Sequence, residues 1–598
     1  MGINLLLLAA LVTADAQDCP RYPQPRRELD RLGIDRERAL ARFQKNRQRE
    51  ADSSRRVDRV NLIDDFIFGK MDADAVPVAP LASDEEFLRR IYIDLTGRIP
   101  TVTQAESFLQ SAEAGKRSQL IEQLLNSAEY VDRWAQFYGN LLEVTSSYYN
   151  YISVQGRNRF HQYLREFIGN DRSYADVARE LITAGGDAHL SGPPNYIVRG
   201  FQQGDLIQDT WDVLTDRTTV RFLGMKTECV SCHDGRRHLE EINLYLLQKR
   251  RTEFWQMSAF FSRTTIQQTP IDAFFRQVRN IVGDKTSGGY FVTGGGPRPP
   301  RSGGPWEPVF MLTGEQPKSD MWRQELARMT TNNRQFARAA VNYLWAALFT
   351  QGIVDPPDAW DLQRIDPKNP PPAPWPIQPS HPELIEALAD DFIRSGYSIK
   401  SMIRLMVNSS AYQLASAHPG PWRPEYDRYF ARHIARRMSA EEAYDAVIRA
   451  TATETPMNVE GFERPVMYAV ELPDPNEPRG DFNISQFLSL FGRGDWWRNP
   501  AVTRTTVVQA LYMMNDNGLN FRTFAGRDGG RTTRVGQIMA STMDDDAAVQ
   551  QLFLATLARY PTSEEMAVVS RNKNGPRQQW LSDLQWALLN KTDFLVQH

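Results

Sequence analysis

The sequence predicts a mainly α-helical protein with more than one domain. Apolar residues recur at the spacing of one helix face in many segments from residue 61 onwards, whereas alternating strand-like patterns are sparse. Helix-capping signatures precede two of these segments, Ser83-x-x-Glu86 and Thr103-x-x-Glu106. A chain of 598 residues with 41% hydrophobic content is long enough to form more than one packed core.

Charge and cysteine content narrow the class of protein. The formal net charge is −3, so the overall charge of the chain does not indicate binding to nucleic acid or to an acidic surface. Three cysteines are too few for a disulfide scaffold. We therefore expect packed hydrophobic cores rather than cross-links to hold the fold together.

The N-terminus predicts export. An apolar run at residues 2–12 is followed by Ala14-Asp15-Ala16, a small-x-small cleavage pattern, so residues 1–16 are expected to be a signal peptide. The run is too short to cross a bilayer, and no later stretch approaches that length. We expect a periplasmic or extracellular protein without a transmembrane segment in its mature form.

Residues 17–60 are densely charged and rich in arginine. They indicate either a solvated helix or a docking arm for an acidic partner, and interspersed acidic residues favour the solvated helix. Residues 61–265 are expected to form the first helical domain. Its predicted helices are residues 84–95, 105–111, 118–125, 129–142, 158–168, 174–183, 209–223 and 251–261.

The stretch that carries the clearest chemistry is Cys229-Val230-Ser231-Cys232-His233. C-x-x-C-H is the attachment sequence of a c-type haem. Residues i, i+3 and i+4 share one face of a helical turn, so both sulfurs could reach the two vinyl groups while His233 points at the iron. With three cysteines and eight histidines in the chain, a chance occurrence of this order is improbable.

Three other interpretations of the same residues stay open. Cys229, Cys232, His233 and His238 could supply the four ligands of a structural zinc site, although crowded into ten residues. A redox dithiol of the thioredoxin type would need a preceding strand, which the pattern does not indicate. A structural disulfide would leave His233 unexplained. The haem interpretation is favoured because it meets none of these three difficulties.

The remaining haem contacts are predicted from residue type and position. Met257, among aromatic residues, is the candidate for the distal iron ligand, and His381 could reach the iron from the second half. Met257 could equally be a core residue on a helix. Arg236 and Arg237 are candidates for pairing with the haem propionates, because arginine pairs well with carboxylates; exposed loop charges are the alternative.

A Gly/Pro-rich linker is predicted at residues 266–320. Its densest part is residues 283–305, with short β-like pieces at 290–293 and 309–312. Such segments attract proteases, so cleavage is expected near Arg298 or Arg301. Residues 321–598 are expected to form the C-terminal helical domain. Its predicted helices are residues 335–349, 382–394, 399–407, 440–453, 505–514, 547–557 and 578–589.

A short repeat recurs three times along the chain. Each copy ends a predicted helix at an asparagine, which tolerates a left-handed backbone, and an aromatic residue four positions later is expected to cover the helix end. The copies are residues 124–130, 406–412 and 588–594.

Several motifs together resemble a known family. In the first half they are Phe87-Leu88-Arg89-Arg90-Ile91-Tyr92-Ile93-Asp94-Leu95-Thr96-Gly97-Arg98-Ile99-Pro100-Thr101, Phe222-Leu223-Gly224 and C-x-x-C-H. The second half contributes residues 339–345, 352–358, 380–384 and 588–595. The first set is similar to the cytochrome-c-like domain of unknown function first noted in planctomycetes, and the second to the domain of unknown function that usually follows it.

The resemblance implies an exported haem protein and supplies no reaction. Members of this family are often encoded near carbohydrate or sulfatase functions, and they commonly carry a second histidine two residues after the haem histidine. Here that position is Gly235, so a role for a second histidine is in doubt.

The expected function is electron transfer through one haem c, covalently bound through Cys229 and Cys232, to a redox partner protein. Two alternatives remain: a haem-dependent oxidoreductase acting on a carbohydrate-like substrate, and an interaction protein with a structural haem. Neither a nucleophile-elbow motif, a zinc-protease motif nor a phosphate loop occurs in the sequence, and catalytic residues are therefore not assigned.

Overall fold

The computed structural model describes residues 57–146, 153–201, 206–271, 278–291, 300–494, 506–524, 526–528 and 531–598. The predicted signal peptide and nearly all of the charged segment 17–60 lie outside these residues. Within the described ranges, none of the helices has both the length and the apolar character needed to cross a membrane.

The mainly α-helical prediction is confirmed. The helices before residue 300 are α1 Leu62–Ala73, α2 Asp84–Thr96, α3 Val102–Gln110, α4 Lys116–Leu125, α5 Ala128–Leu141, α6 Val154–Gly169, α7 Tyr174–Thr183, α8 Pro194–Val198, α9 Ile207–Leu223, α10 Glu228–Cys232, α11 Leu244–Leu247 and α12 Arg251–Ser258. The later ones are α13 Trp322–Asn332, α14 Arg334–Phe349, α15 Pro382–Arg394, α16 Ile399–Val407, α17 Ala440–Thr451, α18 Phe482–Leu490, α19 Val507–Asn515, α20 Asn517–Thr523, α21 Arg534–Ser541, α22 Asp545–Leu557, α23 Ser563–Arg571, α24 Arg577–Leu589 and α25 Thr592–Leu595.

The strands are short and antiparallel. They are β1 Gly186–Asp187, β2 Thr264–Pro270, β3 Val278–Asp284, β4 Arg436–Arg437, β5 Arg527–Asp528, β6 Arg531–Thr532 and β7 Val596–Gln597. Three of them form a sheet in the order β1-β3-β2, in which Thr264 pairs with Asp284 and Pro270 with Val278. The other strands form two two-stranded ribbons, β4 with β7 and β5 with β6.

Two helix caps show how local sequence sets helix starts. Ser83 accepts from the Glu86 backbone N–H at 3.3 Å, as predicted, and α2 begins there. The prediction for α3 was two residues late, because Thr101 and Gln104 form the capping box instead of Thr103 and Glu106. Both threonines fit the same pattern, so the pattern alone could not choose between them.

The three repeat copies share one structure, but not the predicted one. The asparagines Asn126, Asn408 and Asn590 end their helices with negative φ angles, so the left-handed prediction is wrong. Each asparagine side chain instead donates to the backbone carbonyl four residues earlier, at 2.8, 2.9 and 2.9 Å. This satisfies a terminal helix carbonyl without glycine-like backbone geometry. The aromatic residues that follow, Tyr130, Tyr412 and Phe594, are buried.

The described residues of the segment predicted as a linker, 266–271, 278–291 and 300–320, include strands and buried side chains. Residues 264–270 and 278–284 form the two long strands of the sheet, which sequence analysis missed because their polar residues weaken the apolar alternation. Within the predicted β-piece 290–293, Tyr290 makes an isolated bridge to Trp306. Arg301, expected to be protease-accessible, is buried and pairs with Asp209 and Asp212 at 2.7 Å each. Arg298 lies outside the described residues.

Two hydrophobic cores divide the described chain. The larger one draws on α1 to α16 and so includes residues on both sides of the predicted linker. For example, Tyr174 on α7 stacks on Phe336 of α14, with ring centroids 5.2 Å apart. The second core comes mainly from residues 438–594 and also takes Ile93 and Ile99 from the first half. The larger core contains residues from both predicted domains. The domain limits 61–265 and 321–598 therefore stay a prediction.

Helix α2 joins these cores through buried charged residues. Arg89 donates to the carbonyls of Thr556 and Phe594 at 3.1 and 2.6 Å. Arg90 donates to the Tyr412 carbonyl at 2.7 Å and pairs with Glu86 at 3.1 Å. Burial lowers the pKa of Arg89 to about 10, so it remains charged at neutral pH. The helix thus links segments that are far apart in sequence.

The acidic residues Asp94 and Glu86 of the same region also make buried contacts with distant segments. Asp94 accepts from the Tyr412 hydroxyl at 2.7 Å and pairs with Arg436 at 3.2 Å. Glu86 also accepts from the Ser416 backbone N–H at 2.7 Å. Because a buried charge without a partner is very costly, each of these side chains fixes the position of the segment it contacts.

We predict that Arg90→Ala lowers the free energy of unfolding by about 3–5 kcal/mol, because it leaves the Glu86 carboxylate buried beside an empty space. The measurement is the midpoint and slope of urea-induced unfolding. Arg394→Ala is the matched control: Arg394 is exposed and pairs with Asp391 in its own helix, so the change should stay within about 0.5 kcal/mol. Equal effects of the two substitutions would contradict the role assigned to Arg90.

Candidate functional site

The C-x-x-C-H stretch follows the longest buried helix of the first half. Helix α9 ends at Gly224, whose left-handed φ of 68° and close neighbour Trp360 leave no room for a side chain: an added Cβ would lie 2.4 Å from the indole. The next residues return to α9, because Thr227 donates from its N–H and hydroxyl to Asp216 at 3.0 and 3.2 Å. These contacts fix the start of α10, which contains the motif.

Both cysteines of the motif lie in α10, one helical turn apart. Cys229 is buried, Cys232 is partly exposed, and neither forms a disulfide. This matches the expectation that the two sulfurs share one helical turn. The short helix therefore places the two thiols on the same side of the chain, within one helical turn.

His233 leaves the helical path. It is the residue after α10, with an extended backbone at φ −149° and ψ 163°, so the expected sharing of one helix face does not extend to it. Its Nδ1 lies 2.9 Å from the Asp234 carbonyl oxygen. Because a carbonyl only accepts, Nδ1 must donate, which leaves the Nε2 lone pair for a metal. Histidine ligands of metals commonly make this kind of hydrogen bond.

The zinc alternative gains no support from the arrangement of possible ligands. The rings of His233 and His238 lie close together, with centroids 3.9 Å apart. In the part of the chain that the structure describes, however, no three His, Cys, Asp or Glu side chains are grouped so that they could hold a metal ion. A structural zinc site needs four.

Gly235 is required by packing. An added Cβ would lie 2.0 Å from the Leu246 carbonyl oxygen, and the Gly235 N–H donates to the Lys249 carbonyl at 2.8 Å. A histidine therefore cannot occupy this position in the present backbone, which gives a physical reason for the departure from the family pattern.

The residues after the motif are held by the second half of the chain. Trp360 donates from its backbone N–H to the Gly224 carbonyl at 3.0 Å, and its own carbonyl accepts from the Asn243 side chain at 3.0 Å. The Asp361 carboxylate accepts from the N–H groups of Leu244 and Tyr245 at 2.8 and 3.0 Å. Residues 360–361 thus bridge the segments on either side of the motif.

The structure adds Arg251, which sequence analysis did not single out. Its Nε donates to the Ser231 carbonyl at 3.0 Å, and its backbone N–H donates to the Asp234 carboxylate at 2.8 Å. Its guanidinium lies 4.8 Å from the ring centre of Trp255. Burial lowers its pKa, although Cys232 opposes this shift. It is one of three consecutive basic residues, so sequence gave no reason to choose it.

A cluster of aromatic side chains lies next to Arg251. Trp255 stacks on Tyr290 with centroids 6.4 Å apart and lies 6.1 Å from Trp306, while Trp211 lies 5.8 Å from Tyr290. The indole N–H groups of the three tryptophans are buried without a hydrogen-bond partner among the described residues. Native proteins satisfy most buried donors, so unpaired donors beside a predicted haem motif fit a missing acceptor.

The other predicted contact residues lie in different surroundings. Arg236 and Arg237 are exposed, and the Arg237 N–H donates to Glu240. Met257 is fully buried on α12, which packs against α10. His381 is buried next to Phe430, and burial lowers its pKa to about 3, so its imidazole is neutral. Arg236, Arg237 and Met257 as haem contacts stay predictions.

We predict that Gly235→Ala lowers the free energy of unfolding by about 1–3 kcal/mol, because the new methyl group overlaps the Leu246 carbonyl. Gly69→Ala is the control. Gly69 lies within α1 with open space around it, so alanine there should stabilise the protein by about 0.5–1 kcal/mol. Urea unfolding measures both, and a stabilising effect of Gly235→Ala would contradict the steric argument.

Comparison with known families covers most of the described chain. Residues 62–266 match the model of PSCyt2, a protein of unknown function (DUF1549). Residues 322–572 match the model of PSD1, a protein of unknown function (DUF1553). The chain matches no curated protein and no solved structure. The match to DUF1549 precedes the match to DUF1553, which is the order expected from the sequence motifs.

Proposed function

We propose that this protein is an exported c-type haem protein that transfers electrons through one haem bound covalently to Cys229 and Cys232. The observation that carries the proposal is the C-x-x-C-H stretch: both cysteines lie on one helical turn without a disulfide, and the His233 ring has its Nε2 lone pair available. The apolar N-terminal run followed by a small-x-small cleavage pattern supports export.

Each residue of the motif has a distinct chemical role in this proposal. Cys229 and Cys232 would hold the haem through two thioether bonds, each formed by addition of one S–H across one vinyl group without loss of atoms. His233 would supply a ligand to the iron through Nε2, and its Nδ1–H···O=C bond to Asp234 fixes the tautomer. The bound haem supplies a one-electron redox centre, and a redox partner protein would exchange the electron.

The remaining residues position the motif. Thr227 ties its start to Asp216 on α9, and Arg251 holds the Ser231 carbonyl and Asp234 at its end. Because Thr227 and Asp216 are buried and the Arg251 side chain is half-buried, these contacts fix both ends of the segment that carries the two thiols and the imidazole. A fixed proximal side limits the rearrangement that accompanies electron transfer.

The first experiment tests covalent attachment. Protein matured in a host that attaches c-type haem should keep its haem through acid–acetone extraction, and Cys229→Ser combined with Cys232→Ser should abolish haem staining. Cys19→Ser, which removes the third cysteine of the chain, is the control and should stain like the parent. Colourless parent protein that contains zinc would contradict the proposal.

A second experiment tests Met257 as the distal ligand. A methionine ligand gives oxidised c-type haem a weak near-infrared sulfur-to-iron band, and the ligand prediction requires that Met257→Ala removes it. The fully buried side chain also fills core space, so the substitution should cost about 2–5 kcal/mol of unfolding free energy in either case. An unchanged spectrum in a folded, less stable variant would contradict the ligand prediction.

Carbon monoxide binding to the reduced, haem-loaded protein distinguishes an electron-transfer protein from a haem enzyme. A six-coordinate iron with two strong ligands does not bind carbon monoxide readily when reduced, and that result is expected for an electron carrier. Rapid carbon monoxide binding would indicate an open or weakly held sixth position. It would favour the alternative of an oxidoreductase, because an open iron can bind a reactant.

A further inference from the structure

We propose that Arg251 and the indole N–H of Trp255 form a carboxylate subsite that receives a propionate of the haem. This inference rests on the proposed haem function and specifies which residues recognise the group. The subsite would bind a haem carboxylate through one guanidinium and one buried hydrogen-bond donor.

The first argument is position. Arg251 contacts the motif directly, since its Nε donates to the Ser231 carbonyl within the C-x-x-C-H stretch. One terminal nitrogen of its guanidinium donates to the Pro300 carbonyl at 2.7 Å, and the group lies over Trp255, one turn further along α12, at 4.8 Å from the ring centre. The charged group and the indole are therefore neighbours at the edge of the motif.

The second argument is the unpaired donor of Trp255. The residue is 2% exposed, and its Nε1 has no hydrogen-bond partner among the described residues. A buried donor left unpaired costs about 1–3 kcal/mol. An acceptor brought in by the cofactor would remove this cost, and the haem propionates are the acceptors that the C-x-x-C-H motif implies.

The third argument is that Trp255 is rigidly held. Tyr290 stacks on it with an interplanar angle of 17°, and the Tyr290 hydroxyl donates to Asp212 at 2.9 Å. Arg301 donates to the same hydroxyl at 2.7 Å and pairs with Asp212. This buried network fixes the ring of Tyr290 and, through it, the direction of the neighbouring indole. A preorganised donor binds a carboxylate without an ordering cost.

Arg236 and Arg237 are weaker candidates for this role. Both are exposed in the structure, and an exposed cation gains little from pairing with a carboxylate because water screens it. Arg251 is half-buried against an aromatic ring, where the same pairing is stronger.

The experiment uses full-length protein matured with haem, and compares Trp255→Phe and Arg251→Gln with the parent. Resonance Raman spectra report the propionate-bending bands, and spectroelectrochemistry reports the reduction potential. Both variants should keep covalent haem and shift the propionate bands. Arg251→Gln should also lower the reduction potential, because a nearby positive charge disfavours the more positive ferric state; Arg251→Lys should restore the potential.

Matched controls make the same chemical changes elsewhere. Trp345→Phe removes another buried, unpaired indole N–H, on α14, and Arg250→Gln removes the exposed arginine adjacent to Arg251. Both should give the spectrum and potential of the parent. The inference is overturned if Arg251→Gln and Trp255→Phe also match the parent, or if Arg236→Gln produces the shifts instead.

Two results separate this inference from the proposed function. Parent protein without covalent haem would overturn the proposed function. If the parent carries haem but Arg251→Gln and Trp255→Phe leave the propionate bands and the reduction potential unchanged, only the subsite is overturned. If a variant fails to fold, the parent alone decides: transfer into D2O should shift its propionate bands, because the donors are exchangeable N–H groups. Bands that do not move in D2O overturn the subsite.

Discussion

The buried charges of α2 are the constraint on which the rest of the structure depends. Arg89, Arg90, Glu86 and Asp94 lie in the interior, where each must meet a partner or destabilise the fold. Their partners come from the distant segments around Tyr412, Arg436 and the C-terminal residues 594–598. The two hydrophobic cores can therefore form only when segments from opposite ends of the chain are brought to this helix. Three of these four residues, Arg89, Arg90 and Asp94, lie within the motif at residues 87–101 that resembles the family.

The candidate site depends on the same joining of distant segments. Helix α9 belongs to the larger core and sets the start of the cysteine motif through Asp216. Trp360 and Asp361, from the region that matches DUF1553, hold the segments before and after the motif, which lies in the region that matches DUF1549. The two matched regions together build the surroundings of the two thiols. This gives the second region a structural reason to accompany the first.

Sequence predicted what local patterns determine. The helical fold class, the start of α2 at Ser83 and the position of both cysteines on one turn all follow from spacing within a few residues. Contacts between distant residues were not predictable in this way. Arg301 was expected to be exposed because its neighbours are glycine and proline, yet Asp209 and Asp212 bury it. Arg251 was not assigned a role, since only tertiary packing brings it to the motif.

The central claim is that one haem is bound through two thioether bonds at Cys229 and Cys232. The most direct measurement is intact-protein mass spectrometry under denaturing conditions, after maturation in a host that attaches c-type haem, together with the pyridine haemochrome spectrum. The account predicts a mass equal to the processed chain plus one haem, and a haemochrome typical of two saturated vinyl groups. A mass equal to the processed chain alone, from cells that load a control c-type cytochrome, would contradict it.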